Sequence, residues 1–211
     1  MFDGLDAYQL LFVLISMLIG MSFHEAMHAF VGYKLGDDTA MEHGRVTLNP
    51  LAHIDILTTV FLPLIMIIIG VPPIFAAKPV PFNPYNVKFE EFGAALIGIA
   101  GPLTNLLLAV VGGLVFRSGL VTTSMIADFV FIFTLINVAL FVFNMIPFPP
   151  LDGSRLLYAF APEPLQRLMK SIESMGLASV FLFILIAWQF VGPVVLRLNH
   201  SITSFLIGVN F

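Results

Sequence analysis

The sequence predicts an all-α polytopic membrane protein, a bundle of about five to six membrane segments with a returning or extended segment between the first and second full spans. Three observations carry this. Of 211 residues, 59% are hydrophobic and only 10% charged, whereas soluble domains carry about 25% charged residues; the mean hydropathy is +1.00. Apolar runs of membrane-crossing length recur along the chain, at 8–33, 92–116, 129–148 and 176–192. The few ionisable groups inside the first run, His24, Glu25 and His28, sit together near its end. Residues 1–211 read as a single membrane-embedded domain, without an internal repeat or a low-complexity tract.

Composition also excludes. The net charge of −4 gives no signal for nucleic acid, and the absence of cysteine excludes disulfides, thiolate-bound metal and a cysteine nucleophile. Asp3 and Asp6 precede the first run without Lys or Arg, unlike a secretory signal, so the run is expected to stay as a helix.

The first run holds His24-Glu25-Ala26-Met27-His28. Residues four apart lie one above the other on a helix, so both imidazoles point the same way. Two such histidines can grip one Zn²⁺, and the Glu between them can take a proton from water there. Ionisable groups are costly at membrane depth and rarely sit there idle. His24 lies ten residues before Lys34, roughly 15 Å along a helix from that end. The motif is thus within the membrane but nearer one face.

Residues 37–53 are polar and turn-rich, and Arg45-Val46-Thr47-Leu48 has the β-branched character of a short strand. His53 reads either as a loop histidine bonded to a nearby carboxylate or as a group with a direct role in the site. Pro63, Gly70 and Pro72-Pro73 punctuate the apolar stretch 56–76, and the prolines of 78–84 require extended backbone. Gly101-Pro102 falls inside the 92–116 run and Asn105 follows; a packing kink and an interhelical hydrogen bond are the bland readings, a catalytic role for Asn105 the sharper one. Three prolines end the next run, and Gly153 allows a sharp turn that presents Asp152, either as a group of the site or as an ordinary helix cap. Residues 162–173 read as an interfacial helix. Trp188 reads as an interface anchor near the end of the 176–192 span, Gly192-Pro193 as a break, and 194–209 as a short sixth segment.

These motifs resemble the site-2 protease family of intramembrane zinc metalloproteases (M50-type). His24-Glu25-x-x-His28 is similar to the family's zinc motif, and Asn144-x-x-Pro147 leading to Leu151-Asp152-Gly153 to its second motif. The resemblance implies Zn²⁺ as cofactor, with Asp152 as third ligand beside His24 and His28, Glu25 as the catalytic base, and Asn105 of Gly101-Pro102-x-x-Asn105 near substrate or oxyanion. The stretches Gly44–Asp55 and Ala77–Pro81 resemble the short bacterial and archaeal branch, although Ile56-Leu57 departs from its usual pattern. Residues 78–91 leave no room for the PDZ domain of some members, which implies the minimal form. The implied partners are the bilayer and transmembrane protein substrates, cleaved within their spans after local unwinding beside the extended stretch 71–84. A zinc transporter or sensor and an inactive scaffold are the competing readings.

Parity tests the topology. If every apolar run crosses, His24 and Asp152 end on opposite sides. If the stretch after His53 returns, they meet, and Lys34, Arg45, Lys78, Lys88, Arg155, Arg167 and Lys170 share one side against Arg117 and Arg197. The positive-inside bias then puts the N-terminus outside and the active site toward the cytoplasm in a multi-pass cell-membrane protein.

Overall fold

The computed structural model describes residues 6–54, 80–121 and 123–209. Described regular structure is helical throughout: α1 (Ala7–Lys34), the single turn α2 (Thr39–Glu42), a 3-10 turn (Pro50–Ala52), α3 (Glu90–Arg117), α4 (Ser124–Asn144), α5 (Gly153–Phe160), α6 (Glu163–Glu173), α7 (Leu177–Leu182), a π-helical turn (Phe183–Ala187) and α8 (Trp188–Ile207). Four helical stretches are long and apolar enough to cross a membrane: α1, α3, α4 and the continuous run Ala178–Ile207. Their outer faces carry residues such as Leu107, Leu114, Leu185 and Phe190, all exposed, as expected of helices solvated by lipid.

The ends of these helices follow their sequence. Asp6 starts α1 with a reciprocal capping box: its carboxylate accepts from the Gln9 amide at 2.9 Å, and the Gln9 side chain accepts from the Asp6 amide at 3.2 Å. The Thr123 hydroxyl caps α4 through the Ile126 amide. The span expected at 129–148 therefore starts earlier, at this cap, and ends at Asn144 ahead of the prolines.

The central element is α3, which packs on α1, α4, α5 and α8. Its buried face is built from small residues, among them Gly93, Ala95, Gly98, Gly101, Ala109, Gly112 and Gly113. A methyl group at Gly112 would lie 2.5 Å from the Thr134 hydroxyl, and one at Gly113 2.8 Å from the Leu206 carbonyl. Such close approach substitutes for the hydrophobic driving force that lipid-solvated helices lack. Around it, Ala109, Val138, Val142, Ile146, Phe183 and Val195 form the main apolar cluster.

The chain leaves α1 and re-enters α3 at the same end of the bundle. The Lys88 amide donates to the Leu35 carbonyl at 2.9 Å, and the Asn83 amide to the Asp37 carboxylate at 2.7 Å. The parity expected from the sequence is thus met by the described residues. The returning segment expected at 54–76 lies outside them from residue 55 on, as does the larger part of the extended stretch expected at 71–84.

Two expectations are corrected. Residues 45–48 form a bend, not a strand. The Arg45 amide donates to the Ala40 carbonyl and the Thr47 amide to the Arg45 carbonyl, so the backbone closes on itself and has no partner strand among the described residues. Gly192-Pro193 does not break the last helix, and 194–209 is not a separate segment: the helix runs on through Pro193 to Ile207. Local π geometry and packing neighbours allow a membrane helix to carry proline. Trp188 accordingly lies inside this helix, against Phe143 and over Gly192.

Asp37 is buried and accepts hydrogen bonds from the Thr39 amide and hydroxyl as well as from Asn83. Burial alone would raise its pKa; the hydrogen bonds from Thr39, Asn83 and Asn86 outweigh it and hold the carboxyl below the ordinary 3.8. A depressed folded value means that the stabilisation is complete above pH 3.8 and fades as pH falls below it toward the folded value. Asp37→Ala is expected to cost about 1–3 kcal/mol at neutral pH. Thermal unfolding in detergent should show the wild-type and variant curves converging as acid protonates Asp37; a gap that persists at low pH contradicts this assignment.

Candidate metal centre

On α1, His24 and His28 are one helical turn apart and both nearly inaccessible, with 6% and 7% of their surface exposed. Their rings stand at 84°, and the two Nε2 atoms approach to 2.9 Å. Asp152 reaches them from a stretch 128 residues further on: its Oδ2 lies 3.0 Å from His24 Nε2 and 3.4 Å from His28 Nε2. All three donor atoms lie within 4.8 Å of one another.

Local structure explains why Asp152 arrives there. The chain turns between Asn144 and Gly153, and a Cβ on Gly153 would collide with the Met145 carbonyl. Asp152 occupies the N-cap position of α5 but makes no capping hydrogen bond. Its side chain is turned to the imidazoles instead, so the ordinary-cap reading does not hold. The start of α5 rests on α3 at Gly98, where a Cβ would lie 3.0 Å from the Asp152 carbonyl oxygen.

The outer nitrogens of both rings are engaged. His28 Nδ1–H donates to the Ile97 carbonyl at 2.7 Å, and His24 Nδ1–H to the Asn105 side-chain oxygen at 2.6 Å. Both Nε2 lone pairs are thereby turned toward Asp152. Nitrogen lone pairs facing each other beside a carboxylate repel unless a cation or proton lies between them, so this donor set suits a metal ion of the kind bound by two imidazoles and a carboxylate. The space around them has a further condition. The backbone of α3 passes so close at Gly101 that a Cβ would lie 2.5 Å from His28 Nε2 and 2.6 Å from His24 Nε2. Only glycine leaves that side of the donor cluster open.

The other sequence candidates are placed differently. Glu25 is half-buried beside the two histidines in sequence, and makes no hydrogen bond or ion pair among the described residues. Asn105 is fully buried in contact with His24, but its amide protons are already donated, to the Gly20 carbonyl and to the Asn137 side-chain oxygen, each at 3.0 Å. His53 is buried, is not one of the three convergent donors, and gives its Nε2–H to the Thr47 carbonyl at 2.8 Å rather than to a carboxylate. Asn137 was not singled out by any motif. Its one sequence signal is an uncharged amide inside the apolar run of α4.

The family model described as Peptidase family M50 matches residues 113–188. YwhC of Bacillus subtilis (strain 168), provisionally named a zinc metalloprotease, is 35% identical over 173 residues, covering 78% of this chain and 76% of its own. Rip2 of Mycolicibacterium smegmatis (strain ATCC 700084 / mc(2)155), with the same provisional description, is 25% identical over 82% of this chain and 66% of its own. Rip2 of Mycobacterium tuberculosis (strain ATCC 25618 / H37Rv) is 26% identical over 85% and 68%. No solved structure matches the chain.

Metal binding by these three groups predicts that Gly101→Ala is damaging although it adds one methyl group. Metal affinity in detergent should fall by about tenfold or more, while the helical circular dichroism spectrum is retained. Unchanged affinity in a folded Gly101→Ala protein would place the metal elsewhere.

Proposed function

The chain belongs to peptidase family M50, the site-2 protease family, and on that premise we propose that it is an intramembrane zinc metalloprotease acting on transmembrane segments of other membrane proteins. The observation that carries this reading is the convergence of His24, His28 and Asp152 from α1 and the start of α5. His24 and His28 through Nε2, and Asp152 through its carboxylate, are the residues that would hold Zn²⁺. When bound, zinc lowers the pKa of water to about 7 and polarises a carbonyl oxygen. Glu25, next to His24 and without a hydrogen bond or ion pair among the described residues, acts as general base: it takes the proton of the attacking water and returns it to the leaving amine. Its position on α1, one residue after His24, places it beside the donor set.

Asn105 is better suited to holding His24 than to stabilising an oxyanion. An oxyanion needs a free donor, and both of its amide protons are engaged. The hydrogen bond of His53 to Thr47 likewise favours a role in shaping the 45–53 loop over one in the chemistry. The substrate is a helical span, whose backbone hydrogen bonds shield the scissile carbonyl, so it must unwind locally before attack. Such cleavage suits the regulated release of a membrane-tethered protein.

Ligands and base differ in what their loss should do. His24→Ala and Asp152→Ala are expected to lose both zinc and cleavage. Glu25→Gln is expected to keep zinc and to lose about 10²–10⁴ in turnover. Metal analysis of the purified variants, together with cleavage of a panel of single-span proteins, decides the matter. A Glu25→Gln protein that keeps zinc and still cleaves at the wild-type rate would end the protease mechanism, and zinc transport by it would favour a transporter or sensor.

The orientation follows from charge. Lys34, Arg45, Lys88, Arg155, Arg167 and Lys170 belong to the segments at the end of the bundle where α1 finishes and α3 begins, while Arg117 lies at the opposite end beside Gly208. The positive-inside rule makes the first end cytoplasmic. Because the chain has no cysteine, Arg45→Cys and Lys88→Cys can be labelled singly with an impermeant thiol reagent in cells and in inverted vesicles. Both should react only from the cytoplasmic side, and Gly119→Cys only from outside. Reaction of position 88 from outside refutes this topology.

A further inference from the structure

The two histidines of the centre are held by different means. A backbone carbonyl, that of Ile97, accepts directly from His28. His24 is held by a side-chain amide whose own orientation has to be set by something else.

Asn137 sets it. This residue is fully buried in the apolar run of α4, and its Nδ2 donates to the Phe133 carbonyl one turn back, at 2.9 Å. A carbonyl oxygen only accepts, so the amide of Asn137 has one orientation and its Oδ1 faces away from Phe133. That Oδ1 accepts from Asn105 Nδ2 at 3.0 Å. The same Nδ2 donates to the Gly20 carbonyl. The nitrogen of Asn105 therefore lies between two oxygen acceptors. Turning the amide over would set oxygen against oxygen twice. Its Oδ1 is left facing His24 Nδ1 at 2.6 Å, and an imidazole nitrogen opposite an oxygen acceptor carries the proton. The lone pair of the ring is then on Nε2. Water has no room to stand in: a methyl group on Gly20 would already lie 2.9 Å from Asn137 Oδ1 and 2.9 Å from Leu140.

We propose that Asn137 is a positioning residue that fixes the tautomer of His24 through Asn105, so that the Nε2 lone pair of His24 stays turned to the metal. This rests on the reading of His24 as a zinc ligand. Asn137 touches neither metal nor substrate. Its effect passes along Phe133 carbonyl, Asn137, Asn105 and His24, each step fixing which atom the next group presents. The bland alternative is a polar residue gluing α3 to α4, worth about 0.6 kcal/mol on average in membranes.

The test uses full-length protein in detergent and inorganic zinc as the probe, with affinity measured by chelator competition. Asn137→Leu keeps the volume and removes the acceptor. Asn137→Asp, as the neutral acid that burial favours, keeps an oxygen acceptor in the same place while its O–H takes over the donation to the Phe133 carbonyl. Zinc affinity should fall about tenfold or more in Asn137→Leu, within the range seen for outer partners of metal ligands, and Asn137→Asp should recover most of the loss. Nitrogen-15 spectra of histidine-labelled, metal-free protein should show the Nε2–H tautomer appearing at His24 in Asn137→Leu, with His28 unchanged. If Asn137→Leu does not fold, Asn137→Val takes its place in both measurements. A folded apolar variant with wild-type affinity and an unchanged His24 spectrum overturns the proposal, as does an equal loss in Asn137→Asp. A wild-type protein that binds no zinc removes the metal reading itself, an outcome separate from either of these.

Discussion

Polar atoms inside a bilayer have to be satisfied by other protein atoms, and the bundle depends on meeting that constraint at one point. His24, His28 and Asp152 bring three donor atoms together, and each is held by a neighbour that is itself held. The Ile97 carbonyl and the Asn105 amide engage the outer nitrogens of the rings. The glycines of α3 let its backbone come close enough for these contacts to form, most tightly at Gly101 against both rings. The choice of small residues along α3 therefore serves two ends. At Gly112 and Gly113 it packs apolar helices, and at Gly98 and Gly101 it makes room for the polar centre. Cores built from large side chains would have excluded the donor cluster.

Chain topology answers the same constraint. Asp152 can meet His24 only if the chain between them crosses the membrane an even number of times. The bonds from Lys88 to Leu35 and from Asn83 to Asp37 tie the start of α3 to the end of α1. Among the described residues, the pair of helices α3 and α4 then brings the chain back to that end with Asp152. Asp37 is thus as much a part of the site's architecture as the three donor residues, although it lies outside their contact.

What was legible in the sequence is what is local. The spacing of His24, Glu25 and His28 is a statement about one helix, and the four long apolar runs are statements about single segments. Asp152 was singled out through its turn and through a resemblance, because no local pattern says what a residue 128 positions away will meet. Asn105 was legible as a polar residue in an apolar run, but not in its role, which depends on where its amide protons go. Asn137 was legible only as an oddity of composition, since its partner lies on another helix. The errors have the same origin. β-Branched residues at 46 and 47 suggested a strand, and the local bonds from Arg45 to Ala40 and from Thr47 to Arg45 overruled them. Pro193 suggested a stop, and tertiary packing carried the helix through it.

The long separation of the three donor residues also bears on how the protein is made. His24, Glu25 and His28 leave the ribosome well before Asp152, and α1 enters the bilayer when neither Asn105 nor Asn137 has been synthesised. For that interval the imidazoles have no Asn105 or Asp152 to engage them, and only the surrounding leucines, isoleucines and phenylalanines of α1 favour its insertion against the cost of polar groups. The centre comes into being late, when the turn after α4 delivers its carboxylate. A nascent chain halted before that turn has the helix that bears the motif but cannot close the donor set, so its closure is a step of the finished bundle and not of its first span.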